Sequence, residues 1–248
     1  NESCYVSFIN GISYDITQNF SRADVFEYDF IPKDKTIGVF GFQSTWVNQQ
    51  KPETVIIPEY WKDTELQPNC INAGYISMGE SKALKSTNNI NLEFPDTENS
   101  AMVFYGYHPY TNSTDITIDD LSRGPKIAID IDSTMVTTKD YLYTDSVPAV
   151  PTGNRTNINL PFKHALSLVH FKVFTNDAKY SDNNCPLLTQ ITITTKNSQT
   201  GWMYIKDGSI GANPDAEEKR TITYKLSRPF PIYPKKDEKE TYTDAKFL

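Results

Sequence analysis

The chain has 248 residues, is 38% hydrophobic and carries a formal net charge of −7 at pH 7. Its length and apolar content can support a buried core in one large domain or two smaller ones, which excludes a disordered chain. Nucleic-acid binding is not expected, because a phosphate backbone requires clustered Lys and Arg, and "KKDEKE" mixes both signs. No apolar run is long enough to span a bilayer. The start, "NESCYVSF", is interpreted as a mature or truncated end from which any export signal has been removed.

Alternation of apolar and polar residues predicts most of the strands, because a period of two gives a strand one buried and one solvated face. In chain order the alternating runs are "NINLEF" (89–94), "KIAIDID" (126–132), "TNINL" (156–160), "TQITITT" (189–195) and "RTITYKL" (220–226). A different run, "AMVFYGYHPY" (101–110), is apolar throughout residues 101–105, as expected of a strand covered on both faces.

Turn-forming residues separate these runs, and no helical pattern alternates with them. Many short strands without intervening helices predict an all-β fold, an antiparallel β-sandwich. Near the end, Pro229, Pro231 and Pro234 exclude a central strand and favour an edge strand or an extended linker.

The segment "LPFKHALSLVHFKVF" (160–174) fits helical spacing as well as strand alternation, so its periodicity alone does not decide between them. The β-branched and aromatic residues of "VHFKVF", and the alternating run that leads into Pro161, favour a strand. We predict a strand over about residues 166–174, with room for a helical turn before it. Val169 and Phe171 would lie on its buried face.

The histidines in this chain, His108, His164 and His170, are predicted to be structural, half-buried and hydrogen-bonded. On one strand His164 and His170 would lie roughly 20 Å apart, too far to share a metal ion. No neighbouring Cys or Asp stands at a metal-ligand spacing either.

Five carboxylates could meet around a calcium ion or act as an acid–base pair: Asp115, Asp119, Asp120, Asp130 and Asp132. Their places in alternating runs favour a solvated strand face instead. The chain has no GxSxG, HExxH, P-loop or GxGxxG motif. We therefore predict no catalytic, metal-binding or cofactor-binding residue, and a carboxylate-dependent hydrolase is the least favoured hypothesis.

A loop-rich region contains three large aromatic residues, Trp46, Tyr60 and Trp61. Exposed, they could stack on sugar rings or anchor a protein interface. We favour the alternative, a small satellite core beneath a long loop. The three cysteines, Cys4, Cys70 and Cys185, leave open a Cys70–Cys185 disulfide, although isolated thiols are favoured.

Several segments, taken in order, resemble motifs of the fimbrillin family, the FimA- and Mfa-like pilin subunits of Bacteroidales. They are "YVSFI", "SRA" (21–23), "IGVFGF" (37–42), "PEYWKD", "FYGYHPY" (104–110), "KDYLYTDS" and "FKHALSLVHF" (162–171). Each motif is weak alone, and their shared order over about residues 5–205 carries the resemblance. Leu168 stands where a basic residue is common, and Gly106 where Ala is usual.

The resemblance implies a transthyretin-like antiparallel β-sandwich in residues 1–206. Family members carry a second sandwich domain. The remaining residues, 207–248, are too few for one, so we expect a linker and a truncated or reduced C-terminal domain.

It also implies export as a lipoprotein and a place in a cell-surface fimbria, attached to the outer membrane, as a stalk, anchor or tip subunit. Cys4 lacks a lipobox, so the lipid-bearing cysteine would lie upstream of this chain.

Assembly in this family involves proteolytic removal of the N-terminal strand after an Arg and insertion of a strand from a neighbouring subunit. Arg22 is the matching position. The expected partners are other pilin subunits, with surface glycans or proteins of host or bacteria as adhesion ligands. The alternative is a surface glycan-binding lipoprotein that uses Trp46, Tyr60 and Trp61.

Overall fold

A computed structural model describes fourteen segments of the chain. They are residues 5–12, 29–46, 55–56, 70–87, 92–94, 100–112, 115–117, 123–130, 139–166, 173–177, 179–181, 183–195, 200–212 and 220–234. These segments contain β-strands, the short 3-10 turn Gly79–Ser81 and no α-helix. The strands are β1 Tyr5–Ile12, β2 Thr36–Trp46, β3 Val55–Ile56, β4 Cys70–Ser77, β5 Leu84–Ser86, β6 Ser100–His108, β7 Ile116–Thr117, β8 Lys126–Asp130, β9 Leu142–Tyr143, β10 Val147–Ala149, β11 Arg155–His164, β12 Leu187–Thr195, β13 Thr200–Tyr204, β14 Ile210–Ala212 and β15 Arg220–Pro231. The predicted all-β class is confirmed.

The largest sheet has nine strands, in the order β1-β11-β9-β6-β2-β4-β5, with β10 paired to β6 and β3 to β2. A second sheet has the order β14-β13-β8-β7, and β12 and β15 form a separate two-stranded sheet. Every ladder between these strands is antiparallel except one, because β1 runs parallel to β11. The two ends of the large sheet also meet, through a single bridge between Ile9 of β1 and Ala83 just before β5.

Alternation along the central strands β2 and β6 divides the core into two clusters, one on each face of the large sheet. On the first face, Val39 and Phe104 pack with residues of β1 and β11, which the curvature of the sheet brings over them. On the second face, Phe40 and Tyr105 pack with Ile127 of β8 and other residues of the four-stranded sheet. The second cluster therefore lies between two sheets, as in a sandwich.

Strand β6 confirms the interpretation of its apolar run. All nine of its residues, Ser100–His108, are buried, because each face of the strand contacts one of the two clusters. Strands β8, β11, β12 and β15 also cover four of the five alternating runs predicted as strands, β8 as far as Asp130. Of the fifth run, 89–94, residues 92–94 are described, and they lie outside the named strands.

The prediction of a strand over residues 166–174 was wrong in its described part. Strand β11 ends at His164, residues 165 and 166 form a bend, and residues 173 and 174 are not in a strand. Residues 167–172, including Val169, His170 and Phe171, lie outside the described residues. Pro161 stands inside β11 at a point where β1 is paired with it and β9 is not, since β9 reaches only Lys163 and His164. A proline is tolerated at such an edge-like position.

The strand β15 continues through Pro229 to Pro231 and pairs only with β12 among the described strands, so it is an edge strand, as the prolines predicted. Strands β14 and β15 lie after residue 206 and pair with β13 and β12, which lie before it. The domain boundary at residue 206 stays a prediction. None of the helical structure in the described segments is long and apolar enough to cross a membrane.

Candidate functional site: the first strand and its groove

Strand β1 is paired with β11 along its whole length. The parallel register runs from Tyr5 opposite Arg155 to Ile12 opposite Phe162, eight residue pairs in all. The two strands are about 150 residues apart in the chain, so this edge of β1 joins the N-terminal segment to a distant part of the molecule. The Ser7 hydroxyl adds a side-chain hydrogen bond to Asn157 Oδ1 across the same pair.

The inward face of β1 supplies the large sheet with one large aromatic side chain. Phe8 is 2% exposed, and its ring packs edge-on against Tyr75 and Phe104, with ring centroids 5.2 and 5.1 Å apart. Ile12 is buried in the same cluster, and Val6 packs against it. Because alternate residues of a strand share a face, these three side chains fill one groove in the core. The outward residue Ile9 is 41% exposed.

The second edge of β1 is held by isolated hydrogen bonds instead of a ladder. The backbone N–H groups of Val6, Asn10 and Ile12 donate to three carbonyls: Leu92 O at 3.1 Å, Lys82 O at 2.8 Å and Asp29 O at 3.1 Å. These carbonyls come from three separate segments of the chain. Strand β1 is thus inserted between one continuous strand and an irregular rim.

Asn10 is the polar member of the inward row, at 0% exposure. Its Nδ2 donates to Lys82 O at 2.8 Å, and its Oδ1 accepts from the backbone N–H of Ile31, also at 2.8 Å. The rim segments are joined on the outside by an ion pair between Lys82 Nζ and Asp29 Oδ2, 2.6 Å apart. This pair is largely solvent-exposed and therefore contributes little, on the order of 0–1 kcal/mol.

Both described histidines are hydrogen-bonded and partly or fully buried, and their assignment as structural residues stays a prediction. His164 is half-buried, and its Nδ1 lies 2.9 Å from Oδ1 of the buried Asp140. His108 is buried, and its Nδ1 is hydrogen-bonded to the carbonyl oxygen of Thr36. That Nδ1 carries the proton, since a carbonyl only accepts. No group of three or more possible metal ligands occurs within the described part of the chain.

Burial of His108 has a consequence for the pH dependence of stability. Burial lowers the pKa of His108 from 6.5 to about 4, although its hydrogen bond to Thr36 opposes the shift. Between these two values the unfolded chain binds a proton that the folded chain does not, so stability falls as pH drops from about 6.5 to about 4. We expect this group to account for a loss of up to about 3 kcal/mol.

The measurement is urea unfolding at pH 7, 5 and 4, with His108→Asn as the comparison. The Asn amide can keep the hydrogen bond to Thr36 but does not titrate. We expect the variant to lose less stability than the parent over this range. Equal losses in the two proteins would show that His108 is not responsible.

Several residues singled out in the sequence lie outside the described residues. They are Cys4, Arg22, Tyr60, Trp61, Cys70 (as a side chain), Asp119, Asp120, Asp132 and His170. Trp46 ends β2, where its backbone pairs with Val55, and its side chain is likewise not described. The processing role of Arg22 and the surface of Trp46, Tyr60 and Trp61 therefore stay predictions. Cys185 carries a free thiol, so the Cys70–Cys185 disulfide is not formed.

The N-terminal run "CYVSFINGISYDI" predicts four groove-filling side chains, those of Val6, Phe8, Ile12 and Ile16. The structure places the first three on the inward face of β1, and Ile16 lies outside the described residues. The rim residues Asn10, Ile31 and Lys82 were not predicted from the sequence. The one available signal was a polar residue, Asn10, in phase with the apolar row of β1.

A family model described as fimbrillin-like matches residues 22–243, which is most of the chain. The chain belongs to the fimbrillin-like family. This confirms the resemblance drawn from the ordered motifs. No curated protein matches this fimbrillin-like chain in sequence.

Three solved structures that match this chain come from Bacteroides. A candidate cell adhesion protein from Bacteroides uniformis is 13% identical with a TM-score of 0.50, covering 89% of this chain and 71% of its own. A second candidate cell adhesion protein, from Bacteroides ovatus, is 12% identical with a TM-score of 0.49, over 92% of this chain and 74% of that one. A fimbrial protein from Bacteroides ovatus is 12% identical with a TM-score of 0.40, over 92% and 42%. At 13% identity, the similarity to the Bacteroides uniformis structure shows a related fold and nothing about function.

Proposed function

We propose that this fimbrillin-like chain is a structural or adhesive subunit of a cell-surface fimbria, and that it is assembled with other pilin subunits by exchange of strand β1. Membership of the family supports the fimbrial role and a location at the cell surface. The proposal makes the chain a structural protein and not an enzyme. The exchange part of the proposal rests on the position of β1. One edge of β1 forms a full ladder with β11, and the other edge makes only single hydrogen bonds to the rim.

That arrangement suits a replaceable strand. Removing β1 would free the edge of β11 along eight residues and open the groove now filled by Phe8 and Ile12. An unpaired edge beside an apolar groove readily accepts an extended segment of another chain, since main-chain hydrogen bonds supply affinity and alternate side chains fill the pockets. The rim would be left largely as it is, because its three carbonyls belong to other segments.

Proteolysis would make such an exchange feasible. While β1 is covalently attached, it competes with an incoming strand at a high effective concentration. A cut between β1 and β2 turns it into a separate peptide and removes that advantage. Arg22 lies in this interval and is the sole arginine in the first hundred residues.

The experiment is digestion of the folded protein with an Arg-specific protease, followed by size-exclusion chromatography with light scattering. We expect the uncut chain to be monomeric, and the chain cut after Arg22 to bind a donor strand or to polymerise. The donor is supplied as a full-length partner subunit or as its C-terminal peptide.

Two variants control for the cut. Arg22→Lys keeps the charge but removes the Arg-specific cleavage site, and Arg22→Ala removes both the charge and the site. Neither variant should be cut at position 22, and neither should assemble. The strand-exchange proposal fails if the cut chain stays monomeric with a competent partner present. That result would favour the alternative function, a glycan-binding surface protein.

A further inference from the structure

The row of side chains that β1 places in the core has one polar member, Asn10, among Val6, Phe8 and Ile12. A fully buried amide is costly unless its donors and acceptors are paired. Here both ends of the amide are paired: Oδ1 with the N–H of Ile31 and Nδ2 with the carbonyl of Lys82. The groove therefore contains a polar niche in an otherwise apolar lining.

The niche belongs to the main chain of the groove. Its donor is the backbone N–H of Ile31 and its acceptor the backbone carbonyl of Lys82, so no side chain of the receiving subunit has to be present to form it. Both residues also make backbone contacts, through their other main-chain groups, that do not involve β1. The Ser77 hydroxyl donates to Ile31 O at 2.5 Å, and the Lys82 N–H donates to Gly79 O at 2.7 Å. Any strand that fills the groove must meet the same two groups.

The chemistry of these two groups limits what can occupy the position. An apolar side chain would leave the Ile31 N–H buried without an acceptor, whereas Lys82 O would keep the backbone N–H of the incoming strand. A carboxylate could accept from Ile31, but it would bury a charge and place an oxygen against Lys82 O. A carboxamide satisfies both groups, because it carries a donor and an acceptor.

We propose that the groove selects incoming strands that carry a carboxamide at the position of Asn10, with apolar side chains at the positions of Val6, Phe8 and Ile12. This rests on the proposed strand exchange and names the partner it admits: a strand with the inward pattern apolar–apolar–amide–apolar. The niche also fixes register. A slip of two residues would keep inward side chains inward but would put Phe8 or Ile12 against the Ile31 N–H.

The test uses the full chain cut after Arg22 and labelled peptides of residues 5–12, with competition followed by fluorescence anisotropy. One peptide has the natural sequence, one carries Asn10→Leu, and one carries Ile9→Leu as the matched control on the outward row, where Ile9 is 41% exposed. We expect Asn10→Leu to weaken binding by about tenfold or more, since it leaves a buried donor unpaired. Ile9→Leu places the same apolar side chain on the outward face, away from the niche, and should bind within roughly threefold of the natural peptide.

A second measurement uses the intact, uncut protein and does not depend on exchange. Amide hydrogen exchange at Ile31 should be faster in the Asn10→Leu variant than in the parent, and unchanged in Ile9→Leu. If the natural and Asn10→Leu peptides both bind tightly, the groove does not select for a carboxamide at this position, although the strand-exchange proposal would still hold. If no peptide binds but the Ile31 amide responds, strand exchange fails and the niche is confirmed within the chain. An unchanged Ile31 amide overturns the niche itself.

Discussion

Phe8→Ala is expected to lower the free energy of unfolding of the intact protein by about 3–5 kcal/mol, the usual cost of removing a buried phenyl ring. The ring is 2% exposed and contacts Tyr75 and Phe104 edge-on, so its loss leaves a cavity bordered by two aromatic groups. Tyr75 and Phe104 lie on the central strands β4 and β6. The cavity would therefore weaken the attachment of β1 to the middle of the sheet.

The matched control is Ile9→Ala, one residue further along the same strand. Ile9 faces outward and is 41% exposed, so we expect a change of only about 0.5 kcal/mol or slightly more. Urea unfolding of both variants beside the parent gives the comparison. Similar losses for the two would mean that β1 does not insert Phe8 into the core.

The same pair of variants bears on assembly. If β1 leaves the groove before a donor strand enters, Phe8→Ala should speed donor uptake by the cut chain, because the departing strand loses its main anchor. Ile9→Ala should leave the rate nearly unchanged. The effect on uptake is separate from the effect on global stability, since in the proposed exchange the cut chain would release β1 while the other strands stay folded.

The spacing of apolar residues predicted the strands whose faces keep the same environment, buried or solvated, along the whole strand. The run that became β6 is apolar in sequence and buried on both faces. In β11 the alternation of buried Ile158 and Leu160 with exposed Asn157 and Asn159 matches the sequence pattern. In such strands local composition and tertiary environment agree, so single-sequence reasoning succeeds.

The segment after β11 shows where this reasoning stops. The sequence predicts a strand from about residue 166, with Pro161 in the run that leads into it. In the structure Pro161 lies inside β11, at a position where β1 pairs with β11 and β9 does not. Which neighbour a residue has, and whether its N–H is needed there, depends on strands that are distant in sequence. The spacing of apolar residues in 160–174 fits both a helix and a strand. In the structure, pairing with neighbouring strands makes this segment a strand as far as His164.

The candidate site was still less accessible from sequence. Its parts come from residues 5–12, from 29–31, from 82–83 and from 155–162. The ladder between β1 and β11 is also the one parallel ladder among the described strands. Val6, Phe8 and Ile12 could be proposed as groove-filling residues because they are apolar. Asn10 could not be assigned a role, because its partners are backbone groups of the rim, and backbone groups leave no signal in the sequence.

Gly38→Ala is expected to be among the most destabilising single changes in the described part of the chain. Gly38 lies in β2, opposite Tyr107 of β6 and Gly74 of β4. The Tyr107 ring covers it so closely that an added Cβ would lie 2.0 Å from a ring carbon. Tyr107 has little freedom to move, because it is fully buried and its hydroxyl lies 3.0 Å from Asn72 Oδ1 and 3.1 Å from Thr111 O. We expect a loss at or above the upper end of the roughly 1–3 kcal/mol typical of overpacking.

Gly11→Ala is the matched control, since Gly11 also lies in a strand of the large sheet. An added Cβ there would have its nearest neighbours at 3.9 Å, an ordinary contact distance. Alanine also reduces the conformational entropy of the unfolded chain, so we expect Gly11→Ala to be neutral or to stabilise by up to about 1 kcal/mol. Thermal and urea unfolding of the two variants should therefore differ in sign or at least strongly in size.

A double variant identifies the cause of the Gly38 effect. Tyr107→Leu removes the ring that would collide with the new methyl group, so the loss in Gly38→Ala/Tyr107→Leu should be clearly smaller than the sum of the two single losses. Additive losses would mean that the methyl group does not meet Tyr107, and that the close contact between β2 and β6 is not the reason for a glycine at position 38. Less-than-additive losses would assign that glycine to the space taken by the Tyr107 ring, at the centre of the sheet that holds β1.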